Sequence, residues 1–362
     1  MANKKKILFI CGSNNQTTMM YEISKFLTNY DCYFTPYYGD SFLLKKLHNY
    51  GFLDFTVMGK PFQQKVIEFV SEKNLKLDFE GRQHNYDLIV TCSDLVVQKN
   101  IKGKKTILVQ EGMTDPETIL YYLVRLLKLP RYLASTAATG LSDSYDAFCI
   151  ASYGYKEHFM RKGVSNDKLV ISGIPNFDNV KQFLKNDFSH KNYVLAATSD
   201  ARETFKLENR KKFILNALKI ADGRKLIFKL HPNENHNRAI KEINKYAPGA
   251  LVFSYGNTNH LIANCDVLVT KYSSVVYIGL ALGKEVYSDF DLNELKQMMP
   301  IQNSGKSALN ISHVCRIIIE GRPFNAEQLS MEFTGRSAEE ITNAGKYYDV
   351  PEGQYFGAVT NA

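Results

Sequence analysis

Two strand-to-turn junctions, Lys225-Leu-Ile-Phe-Lys-Leu-His-Pro-Asn-Glu234 and Asp266-Val-Leu-Val-Thr-Lys-Tyr-Ser-Ser-Val275, carry the strongest signal in the chain. Each is a short leucine-rich and β-branched run that stops at polar residues, the pattern of a buried strand. Pro232 cannot continue a strand and suits the first turn of a helix. Ser273 and Ser274 are expected N-caps of an apolar helix over residues 275–282, ended by Gly283. In a parallel α/β sheet, strand ends and helix starts face one crevice, so His231, Ser273 and Ser274 are expected to converge there. Helix N–H groups, hydroxyls and an imidazole suit a phosphate ester. The expected ligand is a nucleotide mono- or diphosphate.

Outward from these junctions the chain alternates strands with helices. Strands are predicted at residues 6–11, 32–37, 87–92, 105–110, 147–151 and 168–173, with helices over 19–27, 62–72 and 154–162 and a polar turn over 12–18. A second series has strands at 193–198, 226–230, 251–254, 267–270 and 286–288, with helices over 210–221 and 312–320. This alternation predicts parallel sheets covered by helices. Residues 174–191 shift to a turn cluster, a short charged helix and a polar stretch, and are read as the linker. The expected domains are 1–180 and 191–325, followed by a tail over 326–362.

At 362 residues the chain is long enough for two cores. Its net charge of +8 fits acidic ligands or an anionic membrane surface; no basic run beyond Lys4-Lys5-Lys6 speaks for nucleic acid. The six cysteines stand singly with no C-x-x-C, which argues against a zinc site or disulfide framework and for free thiols. The apolar run Ile7–Cys11 is too short for a signal peptide, and no stretch approaches the roughly 20 apolar residues of a membrane span. The expected location is the cytoplasm, with peripheral contact at the inner membrane face as the alternative. In the segment 116–131, Leu120, Leu123, Val124 and Leu127 keep helical spacing beside Arg125, Lys128 and Arg131. A membrane-interface helix has this pattern, and so does a core helix packed on the sheet; the core helix is the expectation.

The His231-Pro232 junction followed by Tyr272-Ser273-Ser274, and the segment Leu282-Gly-Lys-Glu-Val-Tyr-Ser-Asp-Phe-Asp-Leu292, resemble the GT-B glycosyltransferase superfamily. Two branches look most similar: the CDP-glycerol glycerophosphotransferases of teichoic acid synthesis and the bacterial CMP-sugar (sialic acid or Kdo) transferases. UDP-N-acetylglucosamine 2-epimerases share the clan. The likeness covers residues 190–320 well and the N-terminal half loosely. It implies two Rossmann-like domains with parallel sheets facing a central cleft. The first would bind the acceptor and the second the nucleotide donor. It also implies a C-terminal helix that returns to the first domain, for which residues 337–348 are the candidate.

Within that frame His231 donates to the donor's phosphate, with Pro232 shaping its turn. Ser273 and Ser274 contact phosphate, and Lys271 adds charge nearby. Glu234 holds ribose hydroxyls or serves as a first-turn acid. Thr198 and Arg202 approach the nucleotide, although residues 199–203 also read as a capping box. In the first domain, Gln110-Glu111-Gly112 resembles an acidic motif of the CMP-sugar transferases whose second member is the general base; only Glu111 matches. Asp115 is its understudy, and Gly12 opens the turn beside the acceptor. The CDP-glycerol transferases use an N-domain histidine instead, and none of His48, His84 and His158 sits in the matching motif. Asp289-Phe-Asp291 is a D-x-D match for which no metal role is expected. No cofactor is called for.

The expected protein is a metal-independent transferase. It moves a sugar or glycerol phosphate from a CMP-, CDP- or UDP-linked donor to a cell-surface glycan or lipid-linked acceptor. A UDP-sugar 2-epimerase is the same-class alternative, opposed by the missing glycine pair at 273–274. A non-catalytic nucleotide-binding scaffold is the alternative outside enzymes.

Overall fold

The computed structural model describes residues 4–204, 207–337 and 339–340. The described residues divide into two compact units, one of residues before 179 together with those from 300 onward, the other within 179–299. The first unit contains β1 (Lys6–Cys11), α1 (Asn14–Ser24), β2 (Asp31–Pro36), α2 (Phe42–Asn49), α3 (Lys60–Glu72), β3 (Lys76–Leu77), β4 (Leu88–Thr91), β5 (Thr106–Val109), α4 (Ile119–Leu126), β6 (Ala147–Ile150), α5 (Tyr153–Arg161) and β7 (Leu169–Ile171). The second contains β8 (Val194–Ala197), α6 (Arg210–Ala221), β9 (Leu226–Lys229), α7 (His236–Tyr246), β10 (Leu251–Phe253), α8 (Thr258–Asn264), β11 (Val267–Val269), α9 (Val275–Ala281), β12 (Glu285–Tyr287) and α10 (Leu292–Gln297). The chain then re-enters the first unit with α11 (Ser307–Glu320) and α12 (Ala326–Thr334).

Both sheets are wholly parallel, ordered β3-β2-β1-β4-β5-β6-β7 and β10-β9-β8-β11-β12. Each therefore grows outward from its first strand, reverses, and continues on the other side, as Rossmann-type sheets do. Helices cover both faces of such sheets, which is why their strands read as unbroken apolar runs. Ile7, Leu8, Phe9 and Cys11 have no exposed surface. In the second unit α6 and α7 bury Phe213, Ile214, Ala239 and Ile243 against Val194, Phe228 and Val267. Burying each of the larger side chains contributes about 1.5–3 kcal/mol.

Several expectations are corrected. The polar turn over 12–18 is mostly helix: α1 starts at Asn14 because the Ser13 hydroxyl accepts the Gln16 N–H. The charged helix before residue 185 is a single 3₁₀ turn, Val180–Leu184. The second unit ends at Met299 rather than 325. Its expected last helix instead belongs to the first unit, where Ile311, Val314 and Cys315 are fully buried and α11 packs on α1 and β4. Lys5 and Lys105 donate to the carbonyls of Ile319 and Ile318 at 2.9 and 2.8 Å, completing the C-terminal end of α11. α12 packs on β7, and the Ser330 hydroxyl accepts the Ile171 N–H at 2.9 Å, shielding an edge strand. Most of the 337–348 candidate lies outside the described residues.

The segment 116–131 is not a core helix. Only Tyr121 and Val124 of α4 are buried, against Ala134, Ala137 and Ala138, while Leu120, Leu123 and Leu127 are exposed. No helix among the described residues is long and apolar enough to cross a membrane.

Candidate functional site

In the second sheet β8 is central, flanked by β9 and β11, and the strand order reverses between β8 and β11. Open α/β sheets form their binding crevice at such a reversal, beyond the carboxyl ends. Thr198 directly follows β8, His231 follows β9, and Ser273 and Ser274 follow β11. With neighbouring strands about 4.8 Å apart, the ends of β9 and β11 stand roughly 10 Å apart across β8.

His231 sits in a turn fixed from below. Its N–H donates to Thr198 Oγ1 and Glu234 Oε1, both at 2.9 Å, and Thr198 also donates to Glu234. Its Nδ1 accepts the Asn233 N–H at 3.2 Å and lies 3.6 Å from Asp200 Oδ2. Burial holds the imidazole below its ordinary pKa, against the opposing pull of Asp200 and Glu234. A neutral ring that accepts at Nδ1 carries its proton on Nε2. His231 Nε2 has no hydrogen-bond partner among the described residues.

Glu234 and Thr198 differ from expectation. Both are buried, and Glu234 Oε2 lies 3.0 Å from Arg210 Nη1. Arg210 Nε is in turn 2.7 Å from Glu208 Oε1, and its Nη2 donates to the Ser199 carbonyl at 3.0 Å. Glu234 therefore holds the His231 turn and is not presented to a ribose. Arg202 is also engaged elsewhere, in a bidentate pair with Glu242 of α7 at 2.8 and 2.9 Å. The capping box is absent: Glu203 accepts the Asn235 N–H at 3.0 Å and pairs with Arg238.

The serines are not side-chain caps. Ser274 occupies the cap position of α9 with helical dihedrals, φ −65° and ψ −12°, and no side-chain bond. Its carbonyl accepts the Tyr277 N–H at 3.1 Å. Both hydroxyls are thus left without a partner among the described residues, on half-buried side chains. Lys271 pairs with Asp289 at 3.3 Å, and Asp291 caps α10 by accepting from Asn293 and Glu294. The two aspartates of the D-x-D match are each employed this way. Tyr272 and Phe290 form an edge-to-face pair at 4.8 Å beside the serines, an aromatic surface the motif reading passed over.

In the first unit the matching reversal falls between β1 and β4, with β5 next. Glu111 follows β5 and reaches the β1–α1 turn. Ser13 Oγ donates to its Oε1 at 2.7 Å and Gln16 Nε2 to its Oε2 at 2.5 Å. A carboxylate has about four lone-pair sites, so each oxygen keeps one for a further donor. A Cβ at Gly12 would come within 2.2 Å of Gln16 Oε1, so the Gln16 carboxamide would have to shift. Gln110 is buried, donating to the Gly112 carbonyl at 2.7 Å and accepting the Ala151 N–H at 2.9 Å. A carboxylate at that position would lose the first bond, which accounts for the departure from two acids. Asp115 accepts from Ser135 Oγ at 2.6 Å and Thr136 Oγ1 at 2.9 Å, and Ser135 itself holds a strained φ of 52°. The structure thus ties Asp115 to the 135–136 turn.

His48 bonds Gln63 at 3.1 Å, and the His84 ring lies 4.5 Å from that of Tyr33, tilted by 56°. His158 instead lies 3.4 Å from Thr114, in the loop between Glu111 and α4. Burial, with Lys162 and Arg161 beside it, pushes its pKa down to about 4. Gln16, Ser13, Arg210 and Asp200 are the residues that motif reading missed. Their partners lie 95 residues away for Gln16 and 98 for Ser13, beyond local pattern.

Two Rossmann-type sheets in one chain, each with polar groups at its reversal point, define the GT-B fold. Residues 134–282, under half of the chain, match the family model of CDP-glycerol:poly(glycerophosphate) glycerophosphotransferase. The fold is accordingly of the GT-B type, and over the matched stretch the chain is similar to a transferase family. Among solved structures, a UDP-N-acetylglucosamine 2-epimerase from Listeria monocytogenes aligns over 95% of this chain and 94% of its own at 12% identity, TM-score 0.51. The Neisseria meningitidis UDP-GlcNAc 2-epimerase aligns over 94% and 97% at 14% identity, TM-score 0.50. At such identities these show shared fold alone. The wall teichoic acid polymerase TagF aligns over 95% and 87% at 13% identity, with a TM-score of 0.45. No curated protein sequence matches the chain.

Proposed function

We propose that the protein is a metal-independent transferase that moves a sugar or glycerol phosphate from a CMP-, CDP- or UDP-linked donor to a cell-surface glycan or lipid-linked acceptor. The observation that carries this reading is the crevice of the second unit. There His231 Nε2 and the hydroxyls of Ser273 and Ser274 stand unpartnered among the described residues at the ends of strands flanking β8. Such fixed donors stabilise the charge that develops on a departing phosphate. An acceptor oxygen bonds to the transferred group as the bond to the nucleotide phosphate breaks, and Glu111 takes the acceptor proton. The family match over 134–282 supports the donor class, since CDP-glycerol appears in that family's description.

Thermal unfolding with CMP, CDP, UDP, GDP and TDP tests the pocket, because a ligand of the folded state raises its stability. CMP or CDP is expected to raise the midpoint most, with UDP next. No shift with any nucleotide at millimolar concentration would refute the pocket. Donor turnover with and without acceptor then separates a transferase from an epimerase, which needs no acceptor, and from a silent scaffold.

A further inference from the structure

A groove of about 710 Å³ opens on the second unit, lined by the loop that leads into α6, the first residues of α6 and the second half of α7. It carries five cations against two acids: Arg202, Arg210, Lys211, Lys241 and Lys245 against Glu208 and Glu242. Both acids are committed. Glu242 takes Arg202 in its bidentate pair, and Glu208 takes Arg210, which Glu234 holds as well. The three lysines are exposed and have neither an ion pair nor a hydrogen bond among the described residues.

These lysines are gathered rather than dispersed. Lys241 and Lys245 stand four residues apart on one face of α7, a like-charge spacing that destabilises a helix. Lys211 and Lys245 hold their ammonium groups 5.5 and 5.4 Å from the centre of the half-buried Tyr246 ring, so two helices bring their cations to one ring. In the same wall Arg202 Nε is buried without a hydrogen-bond partner among the described residues. A buried donor left unpaired is costly, and a bound acceptor would satisfy it. Ammonium groups bind phosphate as compact point charges. Their convergence favours the dense charge of a di- or triphosphate over carboxylates strung along a peptide, and a groove of this volume suits a small molecule. The His231 crevice is a different place: it lies at strand ends, whereas the three lysines stand on α6 and α7.

We propose that this groove is a second anion site, which takes a small, multiply charged phosphate compound. The site stands apart from the transferase reading and does not require the His231 crevice to hold a nucleotide. The test is equilibrium dialysis of the full chain against inorganic tripolyphosphate. Saturable binding is expected, weaker at high salt and retained by His231→Ala. Lys241→Gln with Lys245→Gln should weaken it at least roughly tenfold, for two lost contacts to a charged group. The melting midpoint of that variant should be unchanged or higher, because both side chains are exposed and their repulsion is relieved. Lys241→Arg with Lys245→Arg keeps the charge and should keep most of the binding. Absence of saturable binding to the wild type at millimolar probe would overturn the proposal. So would equal affinity of the folded glutamine variant, which would make the bound ion adventitious. Binding lost in His231→Ala but kept in the glutamine variant would assign the anion to the crevice and overturn it as well.

Discussion

The Glu234 carboxylate joins Arg210 to His231: one oxygen lies 3.0 Å from Arg210 Nη1, and the other accepts the His231 N–H at 2.9 Å. Arg210 is buried between Glu234 and Glu208. Removing one member of a buried ion-pair group leaves uncompensated charge and costs about 3–5 kcal/mol. Arg210→Met is therefore expected to lose stability on that scale in urea denaturation. A loss below about 1 kcal/mol would show that the triad does not hold the turn.

His231 itself should behave oppositely. Its ring is half-buried and its outer nitrogen has no partner among the described residues, so truncation removes little folded-state bonding. His231→Ala is expected to cost donor use about 10–150-fold, equivalent to about 1.5–3 kcal/mol for a hydrogen bond to a charged group. Stability should change much less. A denaturation loss as large as the activity loss would make the histidine structural.

These two residues show how much of the site was legible. His231-Pro232 was visible because a strand and a turn breaker are local signals, and the parallel topology follows from alternation along the chain. The reach of Arg210 to Glu234 was not, because the residues belong to different elements and their sequence pattern alone allows ribose contact equally well. The sequence leaves Glu234 open between ribose contact and a first-turn acid, and its ion pair with Arg210 is what places it beneath the His231 turn. The helix α6 was predicted at its observed limits, Arg210–Ala221, yet the burial of its first residue in an ion triad lies outside any periodicity. α4 failed for a related reason. Its apolar spacing is helical, but a spacing does not say whether a sheet or solvent faces it.

Acid should expose His158. The ring's pKa falls from near 6.5 to about 4 on folding. Between those values the unfolded chain binds the proton and the folded chain does not, so stability is full above about 6.5 and is lost as pH falls towards 4. Urea midpoints measured at pH 7.5 and 5 should differ more for the wild type than for His158→Gln. Equal differences would remove His158 from the acid sensitivity, whatever the carboxylates contribute.

The last expectation concerns Glu111. Ser13 and Gln16 fix both of its oxygens, while Gly12 leaves the room that the Gln16 carboxamide needs. If Glu111 takes the acceptor proton, Glu111→Gln should leave nucleotide binding intact and lower turnover roughly 10²–10⁴-fold, the usual worth of general-base catalysis. Glutamine preserves shape and can still accept at one atom, so a merely structural carboxylate should tolerate the change. Gly12→Ala offers an independent check. The added Cβ displaces Gln16, so turnover should fall while the nucleotide-induced thermal shift, which reads the second unit, stays in place. Near-normal turnover of Glu111→Gln at saturating acceptor would exclude it as the base, and Asp115→Asn would then be measured in the same assay. If Asp115→Asn proved equally harmless, a reaction needing a base from this loop would be excluded.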